Sequence, residues 1–151
     1  MGTLNLIKFI KMAGRWVYGL MPDGTPEEAQ ELAQAGVLFA PAKFLNEPKE
    51  RLGELCNGCG AQTAKFDFVP DSIWFLYIGH ACHIHDAMYH YGTTIEDKEE
   101  ADRVFLNNMC RIIDLDKSWW RSKKKMKKIA YGYWWAVDKF GGSPFWHGKN
   151  K

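Results

Sequence analysis

The sequence predicts a mainly α-helical domain built on two antiparallel core helices, with additional N- and C-terminal helices. Three observations predict it. Apolar residues recur at three- and four-residue steps, helix start and stop signals bracket those stretches, and no stretch alternates as a half-buried strand would. At 151 residues the chain reads as one domain, 1–151, long enough to bury a core without metals or disulfides. The chain is 46% hydrophobic and 15% aromatic, which suits a packed globule and argues against extended disorder.

Residues 4–13 read as a short amphipathic segment, with Leu6, Ile7 and Ile10 on one side and lysines on the other. In PDGTPEEAQELAQAG, Thr25 caps a helix, Pro26 takes its first position, Glu28 closes a capping box and Gly36 ends it. NEPKERLGELC gives a second short helix, and the glycine-containing stretch 57–70 reads as a loop. Asp71 or Ser72 then caps a long helix that reaches Tyr91 and closes at Gly92. TTIEDKEEADRVFLNNMCRII opens the next helix near Thr94, with acids in its first turns where the helix dipole favours them. A last helix covers about 117–139, followed by the loop GGSPFWHGKNK.

The net charge of +2 hides an asymmetry. Residues 1–116 carry 10 Lys/Arg against 17 Asp/Glu, a balance of −7, while residues 117–151 carry 10 against 1, a balance of +9. Such a basic end suits an anionic partner, or packing against the acidic body. No stretch approaches the ~20 apolar residues that span a bilayer. LNLIKFIKMAG is too short and too interrupted by Lys8 and Lys11 for a signal peptide, which predicts a cytoplasmic protein or one released without a signal. There is no serine-hydrolase elbow, phosphate-binding loop or dinucleotide fingerprint.

Chemistry concentrates in ACHIHDAMYHYG, residues 81–92. Phe75, Ile78, Cys82, His85 and Tyr89 fall on one helical stripe, which places the His85 imidazole among apolar residues. In the following helix Asp102, Phe105, Met109 and Ile112 or Ile113 form a second stripe. A tight turn at 92–94 makes the two helices antiparallel, which puts His85 opposite Ala101 and within reach of Asp102. A buried carboxylate on a buried imidazole orients a general base and holds it in one tautomer. Tyr89, one turn from His85, can give its hydroxyl to the same carboxylate. Asp86 flanks the stripe and, beside a loop of exposed carbonyls at 57–63, suits a hard cation such as calcium. His83 and His90, on the Asp86 side, read as solvated or partly buried.

ACHIHDAMY resembles the active-site helix of the phospholipase A2 superfamily, C-C-x-x-H-D-x-C-Y, at Cys82, His85, Asp86 and Tyr89. NGCG at 57–60 resembles that family's calcium loop, and EADRVFLNNM resembles its second helix with the aspartate. The resemblance covers roughly 55–113. It implies a phospholipid acyl-ester hydrolase in which His85 activates water, Asp102 orients His85, and Asp86 holds calcium with the carbonyls of Gly58, Gly60 and Gln62. It implies further that the Gly60 N–H and the calcium stabilise the oxyanion, and that Cys59 pairs with Cys82. The loop departs from the family pattern, reading C-G-A-Q-T where the family has C-G-x-G-G; Asn57, Asp67 or Asp71 could supply a replacement oxygen.

Two other readings compete. The His–Asp pair could simply tie two helices together. Alternatively, Cys56-x-x-Cys59 is half of a zinc set that Cys82, His83 or His85 could complete, making a metal- or disulfide-stapled binding module.

SWWRSKKKMKKIAYGYWWAVDKF has a core-like stripe of Trp119, Met126, Ile129, Tyr133, Val137 and Phe140. Off it lie Trp120, Lys124, Lys127, Lys128, Trp134 and Trp135, a mixture that suits the headgroup region of an anionic membrane. The same mixture could bind nucleic-acid backbone, or be a solvated face over tryptophans that pack on the acidic body.

Overall fold

The computed structural model describes residues 24–56 and 69–149; the segment 4–13 and most of the 57–70 loop lie outside them. Among the described residues the fold is mainly α, seven helices and one two-stranded hairpin. None of these helices is long and apolar enough to cross a membrane.

Helix α1 (Pro26–Gln34) starts as its sequence dictates, with Pro26 in the first turn and the Thr25 hydroxyl accepting the Glu28 N–H at 3.3 Å. Only that half of the expected capping box forms. The Glu28 carboxylate meets His80 Nε2 at 3.1 Å instead, so a residue expected to close a local cap joins two helices. The chain leaves α1 through Gly36, whose φ of +76° a side chain would disfavour. Two short helices follow, α2 (Ala42–Leu45) and α3 (Lys49–Leu55). Buried Gln30 holds their link in place by donating to Phe44 O at 2.9 Å and Glu47 O at 2.8 Å.

The long helix expected from Asp71 or Ser72 does not form. Residues 72–77 make an antiparallel hairpin of β1 (Ser72–Ile73) and β2 (Leu76–Tyr77), with Ile73 opposite Leu76. SIWFLYI is aromatic and β-branched, a composition that favours extended backbone. The hairpin buries Ile73 and Leu76 while leaving Phe75 75% exposed, so Phe75 is not part of the interior stripe. The Tyr77 ring fills the space beside Gly79, where any Cβ would collide with it.

Helix α4 (Gly79–Tyr91) therefore begins six or seven residues later than expected. It is buried almost all round and packs on α1, α3 and α5 (Ile95–Leu115). The link at 92–94 is as short as expected. A complete capping box, Thr94 with Asp97, starts α5. Its interior stripe of Phe105, Met109, Ile112 and Ile113 joins Phe44, Leu52, Ile73, Ile78 and Ile84 in the main core.

Helix α6 (Lys123–Phe140) starts six residues later than the expected 117, and α7 (Gly142–Trp146) is the last helix of the described residues. The delay has a local cause. Buried Arg121 donates to Asp116 through Nε at 2.8 Å and Nη2 at 3.0 Å, and Ser118 donates to the same carboxylate at 2.7 Å. These bonds fold 116–121 into a turn, and Ser122 caps the helix after it. Trp119 consequently sits off the helix and is 94% exposed. Ile129 and Phe140 are exposed too. The buried stripe of α6 is narrower than expected: Met126, Ala130 and Val137.

Candidate active site

At the level where α4 and α5 cross, His85 Nε2 donates to Asp102 Oδ1 at 2.8 Å, with both side chains buried. The Tyr89 hydroxyl donates to the same oxygen at 2.6 Å. The two helix stripes meet here because the 92–94 link returns α5 along α4. Gly141 leaves room for the Tyr89 hydroxyl, since a Cβ at that position would collide with it. The Phe105 ring lies 4.8 Å from the imidazole, so an apolar wall flanks the polar pair. Nδ1 of His85 makes no hydrogen bond among the described residues.

Lys98, which the sequence reading did not single out, completes the cluster. Its buried ammonium donates to Asp102 Oδ2 at 2.7 Å, to Asp138 O at 3.2 Å and to Val137 O at 3.3 Å. All three N–H bonds are thus used, two of them on the last turn of α6. The available signal was spacing: Lys98 and Asp102 stand four apart on one helix, the geometry of an ion pair. Its burial could not be read, because the carbonyls that complete it come from 39 and 40 residues away.

Burial opposes ionisation of Asp102, but hydrogen bonds from His85, Lys98 and Tyr89 outweigh it and hold the carboxyl below its ordinary value. Asp116 behaves alike: burial raises it, and the bonds from Arg121 and Ser118 bring it down further. The Tyr89 hydroxyl is pushed far up, first by burial and then by the Asp102 charge, so it stays a donor. A depressed folded-state value means that the stability these carboxylates contribute is full above their unfolded value of about 3.9. It is lost as the pH falls below that. Urea titrations should therefore show a steady midpoint near neutrality and a falling one below about pH 4. A flat midpoint there would remove both networks from the stability of the fold.

The two neighbouring histidines are structural. His80 is buried against Glu28, and His83 Nε2 bonds the Gly24 carbonyl at 2.5 Å. His83 was expected to be solvated or partly buried; it is buried, and that burial lowers its pKa despite the bond to Gly24. His90 is exposed, on the solvent side of α4.

Asp86, the carboxylate assigned to calcium, is half-buried beside His85. Cys56, the last described residue before the 57–62 loop, is pushed up to about 12, by burial first and then by the Asp86 charge. The Asp86 charge thus reaches the residue that leads into that loop, and a carboxylate is the kind of oxygen ligand a hard cation takes. Gly58, Gly60 and Gln62 lie outside the described residues, as do Asn57, Cys59 and Asp67. Among the described residues no group of three or more His, Cys, Asp or Glu gathers as a metal site. Cys82 is disulfide-bonded, while Cys56 and Cys110 are free thiols. The zinc set therefore loses Cys82, because a sulfur held in a disulfide is no thiolate ligand. The partner assigned to Cys82, Cys59, falls outside the described residues.

The basic, tryptophan-rich residues do not join this cluster. Lys124 and Lys128 are exposed, Trp120 and Trp135 about half so, and Lys127 pairs with Asp114 at 2.8 Å. Trp134 packs partly buried against the core. Comparison with protein-family models, curated proteins and solved structures finds no match for this chain.

Proposed function

We propose that the protein hydrolyses an acyl ester of a glycerophospholipid, with His85 as the general base. One observation carries this reading: a buried imidazole held by Nε2 on a buried carboxylate, 2.8 Å away, with a tyrosine hydroxyl on the same oxygen. Asp102 fixes the tautomer. With Nε2–H donated to Asp102, the lone pair of Nδ1 is the one that can take a proton from water as the water attacks the ester carbonyl. Asp102 then stabilises the imidazolium, which returns its proton to the leaving alkoxide. Tyr89 and Lys98 hold the carboxylate still during both transfers. No covalent acyl intermediate is needed, because water itself is the nucleophile.

Asp86, with the carbonyls of Gly58, Gly60 and Gln62, would hold calcium, which supplies positive charge to the developing oxyanion when bound. Asp86→Asn removes the one side-chain charge of that set. The expected result is calcium binding by calorimetry in the wild type and its loss in Asp86→Asn, with fatty-acid release falling in step. Release that persists undiminished in a calcium chelator would remove the ion from this reading.

The disulfide at Cys82 and the Lys98 ion pair favour a second reading, a disulfide-stapled binding module whose His–Asp pair only ties helices together. That module would bind through its basic end and release no fatty acid at any calcium concentration.

A further inference from the structure

One end of the molecule breaks two local rules at once. The hairpin turn consists of Trp74 and Phe75, with φ of 48° and 68°. Positive φ at both central residues is the geometry that selects Asn-Gly, and each larger side chain placed there is strained. Neither ring gains a full burial in return: Trp74 is 37% exposed and Phe75 75%. The first turn of α6, just after Trp120, carries Lys123, Lys124 and Lys125 and no acid. Cations there face the positive end of the helix dipole, where carboxylates are favoured. Sequences that violate local preference without a packing gain do so chiefly at functional sites.

The two violations belong to one surface. Trp74 meets Trp120 edge to face, ring centres 5.7 Å apart, and Tyr133 donates to Ser72 O at 3.0 Å, fixing the hairpin on α6. The Arg121 guanidinium lies 4.5 Å above the Trp120 ring, and fully exposed Trp119 stands beside it. From there a shallow groove of about 550 Å³, lined by Asp114, Lys123, Lys124, Lys127, Lys128 and Tyr131, runs along α6. Two acids border the surface, exposed Asp71 and Asp114, and Asp114 is already paired with Lys127.

We infer that the Trp74–Phe75 turn, with Trp119, Trp120 and the lysines that open α6, is a docking tip for an anionic lipid surface. The choice of lipid rests on the hydrolase reading, and the chemistry of the tip supports it independently. Phe75 projects from a convex turn, a shape that can enter a headgroup layer. The tryptophans prefer that layer's boundary, and the lysines meet its charge. A nucleic-acid backbone would engage the basic groove along α6 but would leave Phe75, exposed on its convex turn, without a role. The lysines that open α6 stand about 21 Å along it, at 1.5 Å per residue, from Val137, whose carbonyl Lys98 bonds. None of the residues changed below bonds His85 or Asp102.

The test is co-sedimentation of the full chain, in calcium chelator, with vesicles of phosphatidylcholine alone or mixed with phosphatidylglycerol. Binding is expected to the mixed vesicles and to weaken as salt rises. The double variant Trp74→Asn, Phe75→Gly should lower partitioning roughly tenfold or more, the loss expected for apolar rings no longer buried. Its melting temperature should stay level or rise, because the turn is relieved of strain. A structural role alone would move the temperature down and leave binding unchanged. Should that variant unfold, the exposed triple change Lys123→Gln, Lys124→Gln, Lys125→Gln asks the same question; it should weaken binding and flatten its salt dependence.

Equal binding by the wild type and a folded variant overturns the inference. So does a wild type that ignores vesicles, including one that shifts labelled RNA or self-associates through this turn instead. Binding without any fatty-acid release would leave the tip in place and overturn the hydrolase reading alone. Release without binding to these vesicles would do the reverse.

Discussion

His85→Ala should lower fatty-acid release by about a thousandfold while leaving the protein folded, because a positioned general base contributes on that order. The reason the fold should survive lies in the network around Asp102. Removing the imidazole leaves the carboxylate its bonds from Tyr89 at 2.6 Å and Lys98 at 2.7 Å, so no buried charge is stranded. A cavity beside Phe105 and Tyr89 remains, lined by rings that close over part of it. Circular dichroism and urea unfolding would show the retained fold, and initial rates of release would show the lost base. A variant that unfolds would say that His85 is chiefly a strut between α4 and α5. A folded variant that releases fatty acid at the wild-type rate would take His85 out of the chemistry.

Lys98→Met should have the largest effect on stability, a loss of roughly 3–5 kcal/mol, the cost of stripping one partner from a buried ion pair. Both side chains are almost wholly enclosed, Lys98 at 5% exposure and Asp102 at 1%, so solvent screens the pair little. The methionine also abandons the carbonyls of Val137 and Asp138, at the point where α6 docks on α5. Adding Asp102→Asn to Lys98→Met should recover part of the loss by removing the stranded charge, a coupling that urea unfolding of the two single variants and the double variant would measure. A Lys98→Met loss under about 1 kcal/mol would mean that the pair is worth no more than a surface salt bridge.

The contrast between Lys98 and His85 shows what the sequence could and could not say. His85 and Asp102 sit on the apolar stripes of two helices joined by a three-residue link, so periodicity and link length together bring them level. Tyr89 follows from the same stripe. Lys98 looks like one charge among many in EDKEEADR, and only the α6 carbonyls explain its burial. His83 misleads for the same reason: its partner, the Gly24 carbonyl, belongs to the approach to α1. No local pattern announces those contacts.

The hairpin was hidden by its own turn. Apolar runs such as SIWFLYI satisfy both a buried helix and a pair of strands, and hairpins declare themselves through Asn-Gly or Asp-Gly at the turn. Trp74 and Phe75 send the opposite signal, so a helical stripe through Phe75 and Ile78 looked continuous. At the other end, the stripe from Trp119 assumed that the helix had already begun. The Asp116–Arg121 pair holds that stretch in a turn, and two residues of opposite charge five apart do not reveal in sequence that they will be buried together.

The most direct measurement uses a phospholipid whose two acyl chains differ in mass, presented in anionic vesicles, with products read by mass spectrometry. Wild-type protein with calcium should yield the sn-2 fatty acid and the matching lysophospholipid, and His85→Ala should yield neither above background. No free fatty acid from the wild type at any calcium concentration would contradict hydrolysis, as would equal release by the His85→Ala protein. Either result would leave the His85–Asp102 pair as a buried tie between two helices.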